Sequence, residues 1–179
     1  MERNSGLTLI ELLISLSIAG TLIALAAPSF ASLLQNSRLT ALTNEIIATL
    51  HYTRSEAIRR GERVTLCKGN IDDGCDDSTK GWEQGWLIFV DQNNNGLYEE
   101  TEETLLRVRD NIDDSLYINA NGQLKYHISY LGSGFSRTAS GALPLGTLAI
   151  CDQRGNSDAH SIIINRSGRP RTEPKASLC

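Results

Sequence analysis

The sequence lacks the short motifs that mark the commonest enzyme sites. It contains no G-x-S-x-G nucleophile motif, no H-E-x-x-H zinc motif and no glycine-rich phosphate-binding loop. Its three histidines, His51, His127 and His160, are far apart, and no spacing between them suggests an acid–base pair. These absences favour a structural or binding protein over an enzyme.

An excess of positive charge is also missing. The chain has 17 Lys and Arg against 21 Asp and Glu, a formal net charge of -4. Such a balance argues against nucleic-acid binding unless the charges are segregated along the chain. They are segregated: acidic residues are concentrated between Ile71 and Asp114, which we interpret as a solvent-exposed face, while the C-terminal tail is basic.

One long apolar run is present, from Leu7 to Phe30. Its length matches the roughly 20 residues that a helix needs to cross a bilayer. Its single charge is Glu11, and a carboxylate in lipid costs on the order of 2.5 to 3.5 kcal/mol on insertion scales, which marks it as functional. Cleavage after Gly6 would leave Leu7 with a protonated α-amino group one helical turn from Glu11, and so supply a countercharge.

The segment from Gly6 to Glu11 resembles the leader of type IV pilins, in which Gly is followed by FTLIEL. The resemblance implies a leader peptide at residues 1–6 and a membrane peptidase that cuts after Gly6 and methylates Leu7. It also implies a role for Glu11 in docking subunits into the filament. Pro28 falls at the family's usual helix-kink position. An ordinary secretory signal or a simple membrane anchor explains the apolar length, but neither explains Gly6 with Glu11.

After Pro28 the helix is predicted to continue to about Arg60, with Gly61 as its stop signal. Residues 7–30 would be the transmembrane half and residues 31–61 an amphipathic continuation that packs on a globular domain. The apolar residues at helical spacing form one stripe: Leu39, Leu42, Ile46, Leu50 and Ala57.

Residues 62–179 are predicted to form a β-rich domain, because short apolar runs alternate there with Gly, Asn and Asp clusters. The predicted fold class is α+β, pilin-like, with one long N-terminal helix packed on antiparallel sheets. The predicted strands are Arg63–Cys67, Trp86–Asp91, Thr104–Arg109, Leu116–Ala120, Leu124–Leu131, Gly146–Cys151 and Ser161–Asn165.

Cysteine is scarce, and the four cysteines include no C-x-x-C pair, which disfavours a zinc site. An even number beyond a membrane segment indicates an oxidising compartment and two disulfides. Of the three pairings, we favour Cys67–Cys75 and Cys151–Cys179, because each closes a local loop. The second would fasten the C-terminal tail to a core strand.

The segment from Asp91 to Glu102 satisfies the EF-hand pattern D-x-[DN]-x-[DN]-G-x5-E. Asp91, Asn93, Asn95 and Glu102 would be the oxygen ligands of a calcium ion. A predicted strand precedes the segment where an EF-hand has a helix, and Asn95-Gly96 is typical of a tight turn between strands. We therefore favour a β-turn and no cofactor, with calcium as the alternative.

Three segments, Gly85–Gly96, Leu148–Cys151 and Ile162–Arg171, resemble the GspH/FimT group of minor pilins and pseudopilins, and the resemblance covers most of the chain. The group includes subunits that start or cap pili, type II secretion pseudopilins, and FimT proteins that bind DNA in natural transformation. A C-terminal G-R-x-R motif is linked to DNA binding. Gly168, Arg169 and Arg171 match that motif here.

The basic tail fits phosphate binding on its own chemistry. Arginine's planar fork suits phosphate, and Arg166 and Lys175 add charge beside Arg169 and Arg171. Gly168 and Pro170 are expected to shape a turn that directs both motif arginines outward. A solvated tail, or arginines that pair with acidic residues of the same domain, is the simpler alternative.

These observations predict a minor type IV pilin that binds double-stranded DNA non-specifically for uptake in natural transformation. The alternatives are a pilus-assembly pilin or a type II secretion pseudopilin without DNA binding. The expected partners are double-stranded DNA, major and minor pilins, the prepilin peptidase and inner-membrane lipid. The expected location is the inner membrane, with a single span and a periplasmic domain, and then the cell-surface pilus.

Overall fold

The computed structural model describes residues 8–75, 81–155, 159–165, 167–174 and 178–179. Helix α1 (Leu9–Arg60) precedes a series of short strands. By its internal contacts the chain divides into two compact units, residues 1–38 and 39–179. The predicted α+β class, one long helix followed by antiparallel sheets, is confirmed.

The first unit contains the apolar part of α1, whose described side chains are all exposed. Its mean hydropathy reaches 2.2, and among the described residues α1 is the one helix long and apolar enough to cross a membrane. The helix runs through Pro28 without ending there. An apolar surface that the chain itself leaves uncovered is suited to lipid or to another subunit.

The part of α1 in the second unit carries the predicted apolar stripe, and all five of its members are buried. Leu50 and Ala57, near the end of the stripe, are fully inaccessible. The helix ends as predicted: Gly61 has φ 71°, and its N–H donates to the carbonyl of Ala57 at 2.9 Å. A glycine in the left-handed conformation is a common helix terminator.

Two antiparallel sheets follow. The first has the order β2-β1-β3-β4, with β6 also paired to β1, and the second has the order β5-β7-β8-β9. The first sheet contains β1 (Val64–Asn70), β2 (Gly74–Cys75), β3 (Trp86–Val90), β4 (Thr104–Arg109) and β6 (His127–Tyr130). The second contains β5 (Leu116–Ala120), β7 (Thr147–Asp152), β8 (His160–Ile164) and β9 (Pro170–Pro174).

Both faces of β3 are buried, which explains its uninterrupted apolar sequence. Trp86 and Ile88 belong to the main core with the stripe of α1. Leu87 and Phe89 point to the opposite face, where Tyr98 packs over them. The loop that contains Tyr98, between β3 and β4, is therefore held against the sheet.

One predicted strand of the β-rich region was wrong, and two strands, β2 and β9, were not predicted. The single strand Leu124–Leu131 is divided, because residues Gly122–Lys125 form a short 3-10 helix before β6. Leu124 is fully buried there, and its carbonyl accepts a hydrogen bond from Trp82 Nε1 at 3.0 Å. Strand β9, which contains Pro170 and Pro174, was not among the predicted strands. Its two prolines are tolerated since β9 is an edge strand, where a missing N–H removes no ladder bond.

Candidate nucleic-acid interface

The candidate site is the turn between β8 and β9. Asn165 organises it: its Oδ1 accepts hydrogen bonds from the N–H groups of Ser167 at 3.1 Å and Arg169 at 3.0 Å. The N–H of Gly168 donates to the carbonyl of Asn165 at 2.9 Å. An Asn side chain that caps its own turn in this way fixes the backbone locally, so Arg169 projects from a defined turn.

Gly168 joins this turn to the rest of the second unit. Its φ is 77°, a conformation that favours glycine. A Cβ at this position would lie 2.8 Å from the carbonyl oxygen of Gly134, 2.9 Å from Cε1 of Tyr130 and 3.2 Å from the N atom of Ser136. The glycine therefore permits a backbone-to-backbone approach between the turn and the loop after β6.

Arg169 and Arg171, the two motif arginines, are both exposed but differ in their surroundings. Arg169 has no ion pair with any residue that the structure describes. Arg171 lies within β9 opposite Ile163 and is ion-paired with Glu173 at 2.6 Å, although two thirds of its side chain (67%) is exposed. The expected outward turn holds for Arg169. Arg171 is also exposed, but it lies in β9 and not on the turn, because Pro170 begins that strand.

Three further arginines approach the loop on which Gly168 packs. Arg54 Nε donates to the carbonyl of Gly134 at 2.9 Å. The guanidinium of Arg137 lies 6.0 Å from the Phe135 ring centroid, and Arg63 donates to the carbonyl of Thr138 at 3.1 Å. No carboxylate in the described part of the chain is ion-paired with these arginines.

The sequence offered no signal for this grouping, because positions 54, 63 and 137 meet only after folding. These three arginines place positive charges along the loop after β6, against which the turn that carries Arg169 packs. The negative net charge of the whole chain gives no indication of this local positive charge. Arg166 and Lys175, which the sequence analysis included in the site, lie outside the described residues, as do Gly6 and Leu7.

Glu11 is in the first turn of α1 and has a local partner. Its Oε2 accepts hydrogen bonds from the N–H of Thr8 at 2.9 Å and from its hydroxyl at 2.8 Å. The Thr8 hydroxyl in turn accepts a bond from the Glu11 N–H at 3.3 Å. This is the reciprocal arrangement of a capping box. The capping box explains why Thr8 and Glu11 are three residues apart. It does not test the predicted countercharge for Glu11, because its proposed source, the α-amino group of Leu7, lies outside the described residues.

Both disulfides have the pairing that the sequence favoured, Cys67–Cys75 and Cys151–Cys179. The second fastens the C-terminus to β7, where Leu178 and Cys179 pack on Ala149 and Cys151. The carbonyl of Leu178 also accepts a hydrogen bond from Asn119 Nδ2 at 2.7 Å. Leu178 and Cys179 are therefore held against the second sheet.

The predicted tight turn at Asn95-Gly96 is instead part of a long loop, residues 91–103, between the paired strands β3 and β4. The calcium candidate Glu102 is exposed in this loop, whereas its neighbour Glu103 is buried. Burial, with the charges of Asp91 and Glu99, raises the pKa of Glu103 to about 7. The acidic region is thus not entirely a solvent-exposed face.

Two family models match this chain. The model described as Type II transport protein GspH matches residues 42–168. The chain belongs to the GspH family. The second model, described as Prokaryotic N-terminal methylation motif, matches residues 1–27, which include Gly6, Leu7 and Glu11. The GspH match ends at Gly168, so Arg169 and Arg171 lie just beyond the matched residues.

Solved structures agree on the fold of this GspH-family protein. Two crystal structures of the type IV minor pilin FimU from Pseudomonas aeruginosa PAO1 are similar to it. One has a TM-score of 0.56 at 23% identity and covers 79% of this chain and 99% of FimU. The other has a TM-score of 0.59 at 22% identity and covers 81% of this chain and 97% of FimU. At this identity the likeness concerns the fold alone.

A curated relative is the pilin-like protein PilA1 of Thermus thermophilus, which is 39% identical over 100 residues. The match covers 55% of each chain, so it spans about half the length of that relative. The family models therefore show a GspH-family protein with a prokaryotic N-terminal methylation motif, and its fold is that of the FimU structures.

Proposed function

We propose that this GspH-family protein is a minor type IV pilin that binds double-stranded DNA non-specifically, for uptake in natural transformation. The observation that carries the proposal is Arg169, exposed on a turn that Asn165 and Gly168 fix, with no carboxylate partner among the described residues. An arginine held in this way presents its donors to a phosphate with little loss of backbone freedom.

The neighbouring arginines support phosphate contact over a wider surface. Arg54 and Arg137 use part of their guanidinium groups to bind backbone carbonyls and keep their net charge. Positive charge that is not taken up in an ion pair attracts the DNA backbone, and phosphate contacts carry no sequence information. With about three or four phosphates in reach, binding should be weak, with a Kd on the order of 10⁻⁴ to 10⁻⁶ M.

Within this proposal, the subunit first resides in the inner membrane through a single span, with its second unit in the periplasm. It then joins the cell-surface pilus, which would carry the bound DNA inward. The apolar, fully exposed surface of α1 before Arg38 supports the membrane stage. The two disulfides support an oxidising compartment for the folded domain.

The test is DNA binding by the full chain in detergent micelles, measured as fluorescence anisotropy of a labelled duplex over a salt series. Arg169→Gln should weaken binding and make the slope of log K against log salt less negative by about 1, as expected for one lost phosphate contact. Arg171→Gln should have a smaller effect, because Glu173 already neutralises Arg171. Glu173→Gln should strengthen binding by releasing that arginine.

The matched control is Arg107→Gln, which removes the same charge from an exposed arginine on β4, in the other sheet. It should leave the affinity close to that of the wild type. If wild-type protein does not bind at low salt, or if Arg107→Gln weakens binding as much as Arg169→Gln, the proposed DNA site is wrong.

One observation favours a second candidate function, pilus or pseudopilus assembly without DNA. Arg171 and Glu173 are paired on an exposed edge strand, and an unpaired edge with complementary charges is suited to a contact with another subunit. If the pair serves assembly, Glu173→Gln should reduce the number of filaments on the cell surface. DNA uptake should then fall in the same proportion as the number of filaments, and DNA binding by the purified protein should not increase.

A further inference from the structure

The loop between β3 and β4 begins and ends at a buried carboxylate. Asp91, which follows β3, is 1% exposed, and Glu103, which precedes β4, is 7% exposed. Aspartate and glutamate are almost never fully buried unless a partner compensates their charge. Within the described residues, neither carboxylate is ion-paired with an arginine, lysine or histidine.

Each of these carboxylates has one oxygen in a hydrogen bond and one without a partner. Asp91 Oδ2 accepts from the hydroxyl of Thr65 at 2.7 Å, and Glu103 Oε2 accepts from the N–H of Glu99 at 3.3 Å. Asp91 Oδ1 and Glu103 Oε1 are buried without a hydrogen-bond donor. A buried polar atom that lacks a partner is costly, and a carboxylate oxygen more so.

The two carboxylates act on each other across the base of the loop. The negative charge of Asp91 opposes ionisation of Glu103, and the backbone of Gln92, next to Asp91, is close enough to stabilise the Glu103 carboxylate. The loop thus brings together two acids from its opposite ends. A cation between them would satisfy the unpartnered oxygens and offset their repulsion.

Neutral oxygens lie between the two acids. Asn93 Oδ1 accepts a hydrogen bond from the N–H of Asn95 at 3.0 Å and Asn95 Oδ1 from the N–H of Leu97 at 2.7 Å, and each amide oxygen has a second lone pair for a cation. Both side chains also donate from Nδ2 to Glu99, at 2.8 and 3.2 Å. Gly96 follows with φ 79°, so the chain turns sharply where calcium loops require a glycine. Amide oxygens with two carboxylates form a ligand set for a hard cation.

We propose that the 91–103 loop binds Ca²⁺, with Asp91 and Glu103 as its charged ligands and the amide oxygens of Asn93 and Asn95 as neutral ones. Glu103 takes the place that the EF-hand pattern gives to Glu102. Within the described residues no group of three or more His, Cys, Asp or Glu side chains could hold a metal, so the site depends on amide oxygens beside its two carboxylates. An all-oxygen ligand set of this kind is typical of Ca²⁺, whereas zinc sites use Cys and His.

The site lies in the β3–β4 loop, whereas the candidate DNA site is the β8–β9 turn, so this proposal does not depend on DNA binding. Two charged ligands are few for a calcium site, which places the expected Kd at roughly 10⁻⁴ to 10⁻³ M, the range of extracellular modules. This loop also carries Tyr98, whose ring centroid lies 5.5 Å from that of Phe89 in β3. Bound calcium would hold the loop against the sheet at this contact.

The experiment uses the full chain in detergent micelles, stripped with EDTA and then titrated with CaCl₂ or MgCl₂ by calorimetry. Calcium at about 10 mM should raise the midpoint of thermal unfolding by roughly 3 to 10 °C, and magnesium should raise it less. Glu103→Gln should weaken calcium binding at least tenfold. Its neighbour Glu102→Gln, an exposed acid of the same charge, is the matched control and should bind as the wild type does.

Asp91 is buried against Thr65, so a substitution there can unfold the domain. Asn93→Ala, at an exposed position, is therefore the second variant, and it should weaken calcium binding while the chain stays folded without calcium. The proposal is overturned if wild-type protein shows neither calcium heat nor a calcium-dependent shift. It is also overturned if Glu102→Gln loses binding and Glu103→Gln retains it.

Discussion

Replacement of Gly168 by Ala tests whether the candidate site depends on close backbone packing. The substitution adds one methyl group at a position with φ 77°. That methyl group would lie 2.8 Å from the carbonyl oxygen of Gly134 and 2.9 Å from Tyr130 Cε1. Tyr130 is fully buried in the core, so neither neighbour can withdraw easily.

Two costs add at this position. A left-handed conformation at a residue with a Cβ costs roughly 1 to 2 kcal/mol. Forcing a methyl group into a packed interface costs roughly a further 1 to 3 kcal/mol. We therefore expect Gly168→Ala to lower the free energy of unfolding by about 2 to 5 kcal/mol.

Gly141→Ala separates the two costs. Gly141 has φ 82°, but no atom lies within 4 Å of the place its Cβ would occupy. Gly141→Ala should therefore lower the free energy of unfolding only by the cost of the left-handed conformation, about 1 to 2 kcal/mol. The difference between the two variants should appear as a midpoint of thermal unfolding lower by roughly 2 to 12 °C for Gly168→Ala. The fluorescence of the buried Trp82 and Trp86 reports unfolding of the second unit.

Equal unfolding midpoints for Gly168→Ala and Gly141→Ala would refute this reasoning. The turn after β8 would then not be packed on the loop after β6, and Arg169 would not be held in place by that contact. A larger loss in Gly168→Ala, accompanied by weaker DNA binding at temperatures where the variant is folded, would link the packing to the position of Arg169.

Two further predictions concern stability. Removing the disulfide Cys151–Cys179 with a double serine variant should cost about 1 kcal/mol more than removing Cys67–Cys75, because it closes a loop of 28 residues instead of 8. Urea unfolding under non-reducing conditions measures this, and equal losses would contradict the loop-length argument. Burial lowers the pKa of His127, with Asp91 opposing the shift and Arg63 adding to it. Below its ordinary pKa of about 6.5, His127 therefore binds a proton in the unfolded chain that it does not bind in the folded one, so its contribution to the free energy of unfolding falls as the pH drops. Glu103 contributes with the opposite sign, because its pKa is raised to about 7 in the folded chain. Relative to wild type, His127→Gln should therefore gain free energy of unfolding as the pH drops from about 7.5 to 5, measured by urea unfolding in the presence of EDTA, and an unchanged pH dependence would exclude a contribution from His127.

The helix and its end could be predicted because their signals are local. The stripe from Leu39 to Ala57 repeats at helical spacing, and Gly61 supplies the left-handed stop, so neither depends on which sheet the helix meets. The disulfides were predictable for a related reason, since each joins cysteines within one stretch of chain. The family resemblance, read from short segments, agreed with the GspH match.

Features that depend on contacts between distant segments were missed. Strand β9 contains Pro170 and Pro174, and only its edge position, paired with β8 alone, makes a strand acceptable there. Residues two apart in a strand lie on the same face, so Arg171 is beside Glu173 and is ion-paired with it. This pairing reduces the contribution expected of Arg171 to phosphate binding. Arg54 and Arg137 joined the candidate site because the turn at Gly168 packs on the loop that both of them touch.

The apolar helix and the disulfide-containing β domain that follows it could be predicted from the chain alone, because periodicity, length and charge are properties of neighbouring residues. Which of two adjacent glutamates is buried became known from the folded domain. The sequence pattern selects Glu102, but the packing at the start of β4 buries Glu103 and leaves Glu102 exposed. Burial of a side chain follows from the packing of the whole domain, which no local pattern contains.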